Sequence, residues 1–217
     1  MQIIWHGQAC FQITLNRNKD EKLTIVIDPF SEEIGLRLPS LEADILLITH
    51  DHHDHNNKKA ISGKPFLIEG PGEYEIKGVF IQGIEADHDR SQGKERGKIT
   101  IYTIEAEGMR ICHLGDLGQK ELTLEQIEQI GDIDILMMPV GGVYTISAQD
   151  SPKIISQIEP KVIIPMHYLL PKLKVKLEGL DKFLKVMGQK ETEPQGKLQI
   201  KSKDLLTEKM KIVVLKP

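Results

Sequence analysis

Cysteine is scarce in this chain of 217 residues: there are two, Cys10 and Cys112. Each lies in an apolar, strand-like run, which excludes a disulfide framework and predicts two buried free thiols. No run approaches the length of a membrane-crossing helix. Residues 1–6 lack the basic region and long apolar segment of a signal peptide. Together these absences predict a cytoplasmic protein with no membrane partner. Basic excess is missing too. The formal net charge is −4, so no footprint for nucleic acid spreads over the surface. No repeat, linker or low-complexity stretch divides the chain. With 40% apolar and 28% charged residues, it reads as one globular domain over 1–217.

What is present is concentrated in residues 49–55, T-H-D-H-H-D-H, directly after the apolar run Asp44-Ile45-Leu46-Leu47-Ile48. His50, His52, Asp54 and His55 are four metal-binding side chains leaving the end of one strand. A packed core does not need them. Alternate side chains of extended chain point the same way, so His50 and His52 can converge on one ion. Asp54 and His55, once the chain turns, can serve a second.

Apolar runs bounded by Gly or polar residues predict strands at 2–6, 10–15, 23–28, 44–49, 65–68, 72–76, 79–85, 98–105 and 109–113. The second half alternates. A helix is expected at 124–130, with Thr123 as N-cap, Gln126 completing a capping box, Leu122 and Ile127 as a hydrophobic staple, and Gly131 closing it in the left-handed conformation. A strand at 133–138, a helix around 147–157, a strand at 161–165, a helix at 180–187 and closing strands at 198–200 and 211–215 follow. Two sheets with helices outside account for this order.

Three further candidates each follow a predicted strand: His88 in Ala86-Asp87-His88-Asp89, Asp116 in Cys112-His113-Leu114-Gly115-Asp116, and His167 in Ile163-Ile164-Pro165-Met166-His167-Tyr168. The order T-H-x-H-x-D-H, A-x-H, H-x-G-D, I-P-M-H-Y resembles the metallo-β-lactamase superfamily. The openings W-H-G-Q-A-C-F and I-D-P-F, with P-V-G-G-V-Y-T-I, resemble its ascorbate-6-phosphate lactonase-like branch of metal-dependent hydrolases. The resemblance implies an α+β fold, a four-layered αββα sandwich, with two divalent ions at one edge. Carried onto this chain, it places His50, His52 and His88 on one ion, Asp54, His55 and His167 on the other, and Asp116 between them. Zinc is the expected metal, with manganese, iron and nickel suited to the same donors. Diiron relatives replace a tract His with Glu, and His52 is retained here, which disfavours redox use.

Two neighbouring ions bring the pKa of a shared water towards neutrality. The resemblance therefore implies hydrolysis by metal-bridged hydroxide, with Asp54 or Asp116 taking the proton. Two divalent ions outweigh the two carboxylates and one hydroxide, so the substrate is expected to be small and anionic, of the lactone or phosphodiester class. A nuclease and a non-catalytic metal-binding or regulatory module are the alternatives. Asp28 is the expected partner that orients the imidazoles, with Asp51, Asp87 and Asp89 nearby in sequence. In the loop 87–97, Arg90, Lys94 and Arg96 are candidates for gripping an anion, and Tyr144 beside Gly141-Gly142 for touching substrate. Where the family often has His, this chain has Gln8. An amide hydrogen-bonds but does not titrate, which argues against a general acid at that position. His53 reads as a non-ligand, and His6 and His113 as satisfied buried imidazoles.

Overall fold

The computed structural model describes residues 1–16, 21–190, 192–206 and 209–217. The polar loop expected at 16–22, between the second and third strands, lies at 17–20 outside them. The first strands are β1 (Gln2–Gly7), β2 (Cys10–Asn16), β3 (Lys22–Ile27), β4 (Leu41–Glu42), β5 (Ile45–Leu47), β6 (Ile61–Ser62) and β7 (Phe66–Ile68). Next come β8 (Gly72–Ile76), β9 (Val79–Asp87), β10 (Lys98–Ala106) and β11 (Met109–His113). The second half holds α1 (Leu124–Ile130), β12 (Ile135–Pro139), α2 (Ser151–Ile158), β13 (Val162–Met166), α3 (Leu180–Val186), β14 (Leu198–Gln199) and β15 (Lys211–Ile212).

One sheet has the order β14-β1-β2-β3-β5-β7 and the other β15-β13-β12-β11-β10-β9-β8. Strands such as β1 and β2 alternate buried and part-exposed residues, while β5, β12 and β13 are buried throughout. This is the difference between antiparallel and parallel pairing seen from the side chains. Trp5, Phe11, Ile13 and Ile27 of the first sheet and Ile81, Ile101, Tyr102 and Ile111 of the second share one fully buried core. It fills the space between the sheets, as in an α+β sandwich. Outside the second sheet, α1 packs against β9 and α2. Outside the first, Cys10, Val26 and Leu46 are covered by Phe30, Ile34, Leu38 and Leu41, a layer of loop, 3₁₀ turn and the short strand β4. Both thiols are buried and unpaired. No helix among the described residues is long and apolar enough to cross a membrane.

Strand direction places the site. β1 and β3 each pair antiparallel with β2, and β5 runs parallel to β3. Hence β1, β3 and β5 all end at the same edge. In the other sheet β9 and β11 flank β10 antiparallel, and β12 and β13 continue parallel to β11. These four also end together. Gln8, Asp28 and the 49–55 tract leave the first set, and His88, Asp116 and His167 leave the second. Gln8, Asp28 and His167 each take a positive φ, 50°, 47° and 51°, so the chain turns sharply as it leaves the strand. Such backbone is sparsely populated for residues other than glycine and gathers at functional sites.

The capping box of Thr123 and Gln126 is present, but Gly131 has φ 62° and ψ −159°. That region is open to glycine alone, and is not the left-handed helical one expected. The helix expected from 147 starts instead at Ser151. Ser147 bridges to Gly141, its amide and hydroxyl both donate to Asp150 Oδ2, and Pro152 then opens the helix.

Candidate functional site

The structure brings His50, His52, Asp54, His55, His88, Asp116 and His167 together at the sheet edges. Asp116 Oδ2 lies 3.3 Å from His55 Nε2, 3.2 Å from His167 Nε2 and 3.7 Å from His88 Nε2. Ligand atoms of His50, His52 and His88 lie within 4.8 Å of one another, as do those of Asp54, His55 and His167. His88 Nε2 is 3.1 Å from His52 Nδ1.

Asp28, fully buried, ties the tract down. It accepts from the Thr49 amide (2.8 Å), the Thr49 hydroxyl (2.6 Å) and His55 Nδ1 (2.9 Å). Thr49 Oγ1 is in turn 2.9 Å from His50 Nδ1. With its proton given to Asp28, that hydroxyl accepts from His50. His50 is thereby fixed with Nδ1 protonated and Nε2 bare, the form that binds a metal, and His55 is oriented with Nδ1–H on Asp28 and Nε2 towards Asp116. Two glycines hold the remaining loops. A Cβ on Gly118 would stand 2.3 Å from the His88 carbonyl oxygen, and one on Gly141 would stand 2.2 Å from that of His167. The Gly141 contact is with the backbone of His167.

A metal suits the donors present. His50 Nε2, His55 Nε2, Asp116 Oδ1, His88 Nδ1, His167 Nδ1 and Gln8 Oε1 are buried without a hydrogen-bond partner. Among the described residues, every such atom except Arg110 Nε belongs to this cluster. Buried polar atoms are rarely left so. Burial, with the neighbouring imidazoles, lowers the His50 pKa to about 2, so this ring is neutral at physiological pH. Burial also depresses His52 and His88. His55 is the exception: burial pushes its pKa down, but Asp116, Asp28 and Asp54 together carry it well above the ordinary value. Burial opposes charge on Asp116, yet His167 and His55 hold its carboxyl well below the usual range. The carboxylates call for positive charge at their centre.

The cluster opens into a cavity of about 430 Å³ lined by His52, His53, Asp54, His88, Asp116 and His167 on its floor. Arg96, Tyr144, Lys174, Val175 and Lys176 form its rim. The Arg96 guanidinium carbon sits 4.2 Å from the centre of the Tyr144 ring, a cation–π contact. Arg90 pairs with Asp150 Oδ2 at 2.7 Å and lines an adjoining cavity of about 410 Å³ together with Arg96 and Tyr144, whereas Lys94 lines neither cavity. Asp89 is not an imidazole partner. It collects the amides of Ser91, Gly93, Glu95 and Arg96 at 2.7–3.0 Å and so shapes the loop that carries Arg96. Asp87 pairs with Lys98 and Asp51 with Asn56. His113 is satisfied, its Nε2 donating to Ala9 O and its Nδ1 accepting from Gly115 N. His6 meets Gln12.

Lys174 and Lys176 were missed by the sequence reading. Their signal is the alternation Lys172-Leu173-Lys174-Val175-Lys176-Leu177. Leu173 and Val175 pack on the outer core, which sends the intervening lysines to the other side. The Lys174 amide donates to Ile34 O at 2.7 Å and fixes the strap.

The family model described as beta-lactamase superfamily domain matches residues 2–167. A metal-dependent hydrolase of Thermoplasma volcanium is 32% identical over 197 residues, covering 77% of this chain and 83% of the relative. Another of Thermococcus onnurineus is 30% identical over 190 residues, covering 75% and 82%. The crystal structure of a candidate zinc-dependent hydrolase of the metallo-β-lactamase superfamily from Thermotoga maritima superposes with a TM-score of 0.79 at 36% identity, covering 99% of this chain and 97% of that one.

Proposed function

The chain belongs to the metallo-β-lactamase superfamily, and from that premise we propose a hydrolase with a two-ion centre, acting on a small anionic substrate of the lactone or phosphodiester class. The observation that carries this reading is the convergence of His55 Nε2 and His167 Nε2 on Asp116 Oδ2, within a cluster that also holds six buried polar atoms without a hydrogen-bond partner. His50, His52 and His88 would hold one ion and Asp54, His55 and His167 the other, with Asp116 serving both. Ions held there supply a water acidic enough to ionise near neutral pH and a Lewis acid for the substrate oxygen.

The protein's own contribution is placement. Asp28 and Thr49 keep His50 in the ligating tautomer and orient His55. Asp116, whose Oδ1 is buried and without a partner, would take the proton released from the water, with Asp54 as the second candidate. Arg96, Lys174 and Lys176 supply anion recognition. Among the described residues none of the three makes an ion pair, while Arg90, on the same loop as Arg96, pairs with Asp150. Three uncompensated cations around a cavity of about 430 Å³ suit a small charged molecule.

The test is metal quantification of the purified protein with a hydrolysis screen of lactones, phosphodiesters and thioesters before and after chelation. Two ions per chain and turnover lost on chelation and restored by metal are expected. Turnover that survives complete metal removal would overturn the reading. Salt-dependent retention on RNA or DNA would move the substrate towards a nuclease's.

A further inference from the structure

Gln8 remains unexplained by this reading. It is fully buried, turns at φ 50°, and its carbonyl oxygen accepts from the Trp5 indole (2.9 Å) and the His167 amide (3.0 Å). The backbone is thus fixed to the strand exit that presents His167. Its side chain reaches further. Nε2 lies 2.8 Å from Asp54 Oδ2 and 2.9 Å from His167 Nε2.

Those distances match the spacing of the other donors. Asp116 Oδ2 stands 3.2 Å from His167 Nε2 and 3.3 Å from His55 Nε2, and Asp54 Oδ2 stands 3.5 Å from His55 Nε2. Atoms bound at about 2.0–2.2 Å to one ion lie roughly 3.0–3.5 Å apart. The end of the Gln8 amide therefore occupies a corner of the polyhedron that Asp54, His55, His167 and Asp116 outline. In the present orientation it offers N–H to that corner, and Oε1 is buried with no partner. The two ends of a carboxamide are nearly identical in size, and a half-turn exchanges them. One buried polar atom lacks a protein partner in either orientation.

We propose that Gln8 is a metal ligand: when the position of Asp54, His55 and His167 is loaded, its amide turns over and Oε1 binds the ion. This rests on the two-ion reading above. Without metal, the N–H donors hold Asp54 and His167 at the required separation. With metal, an amide oxygen joins one carboxylate and two imidazoles. Carbonyl and carboxylate oxygens suit manganese and similarly hard cations better than the three imidazoles of the other position do. The two positions thus differ in preference, and Gln8 sets part of the difference.

Gln8→Glu and Gln8→Leu separate this role from simple hydrogen bonding. Each variant is titrated with manganese and with zinc, ions per chain are counted by elemental analysis, and manganese is followed by its electron paramagnetic resonance. Gln8→Glu keeps an oxygen and removes the N–H, so manganese affinity at one position is expected to hold or rise. Gln8→Leu is expected to weaken that position about tenfold or more and leave the other unchanged. Loss of affinity in Gln8→Glu equal to that in Gln8→Leu would overturn the proposal, since an N–H donor alone behaves that way. So would unchanged affinity in Gln8→Leu. A wild-type chain that binds fewer than two ions would overturn the two-ion reading as well, which distinguishes the two failures.

Discussion

Each side chain on the floor of the cavity leaves the end of a strand, whereas each one on its rim is carried by a loop. The two sets are held by different means. On the floor, Asp28 accepts three hydrogen bonds and fixes two imidazoles, and Gly118 and Gly141 let backbone pack against His88 and His167. On the rim, Arg96, Lys174 and Lys176 are exposed and form no ion pair among the described residues. The floor is held in one arrangement by the bonds Asp28 accepts and by close backbone packing. The rim is free to follow whatever ligand enters. Chemistry that needs fixed geometry and recognition that needs adaptability are thus divided between strand ends and loops.

The largest effect that would test this division is expected from Asp116→Ala. It removes the oxygen that three imidazoles share, and should lower metal content and abolish turnover. Two tightly held ions with unchanged activity would contradict it. Asp28→Asn touches no ion in the proposed site, yet it disturbs the tautomer of His50 and the orientation of His55. A loss of 10- to 100-fold in metal affinity is expected, measured by competition with a chelator. Asp28→Ala should go further and destabilise the fold by about 3–5 kcal/mol in denaturant unfolding, because buried donors lose their acceptor. On the rim, Arg96→Ala should raise KM about tenfold for an anionic substrate, roughly 1.4 kcal/mol, with little change for a neutral one. Arg90→Ala, whose partner is Asp150, should change neither. Equal effects of the two arginines would dissolve the distinction between rim and surface.

A smaller effect concerns pH. In metal-free protein the raised pKa of His55 contributes stability that is fully present below its unfolded value, about 6.5. This stability is lost as pH rises through the folded value. The chelated protein should therefore lose thermal stability above about pH 6.5, while the metal-loaded one should not. Unfolding curves with and without chelator across pH 6–9 check the sign.

Much of the floor was legible in the sequence because strand ends are. Gly and polar residues bound the runs that became β1, β5, β8 and β11, and the ligating residues follow such ends directly. The rim was not. Arg90 is the nearer of the two to His88 in sequence, but Asp89 winds the loop between it and Arg96 so that Arg90 pairs with Asp150 and Arg96 stacks on Tyr144 beside the cluster. Proximity along a chain says nothing of such a turn. The strap at 172–177 has strand periodicity without strand pairing, so its lysines carried no signal until Leu173 and Val175 had a core to pack on. The two-residue strands β4 and β6 are too short to show a period at all.

Asp89 also bears on how such a protein could be altered. Four amides between Ser91 and Arg96 close on its one carboxylate, so the loop carries its own scaffold within it. A stretch of that kind can be moved between related chains as a cassette, provided the aspartate travels with it, and a new specificity could be grafted without touching a single residue of the floor.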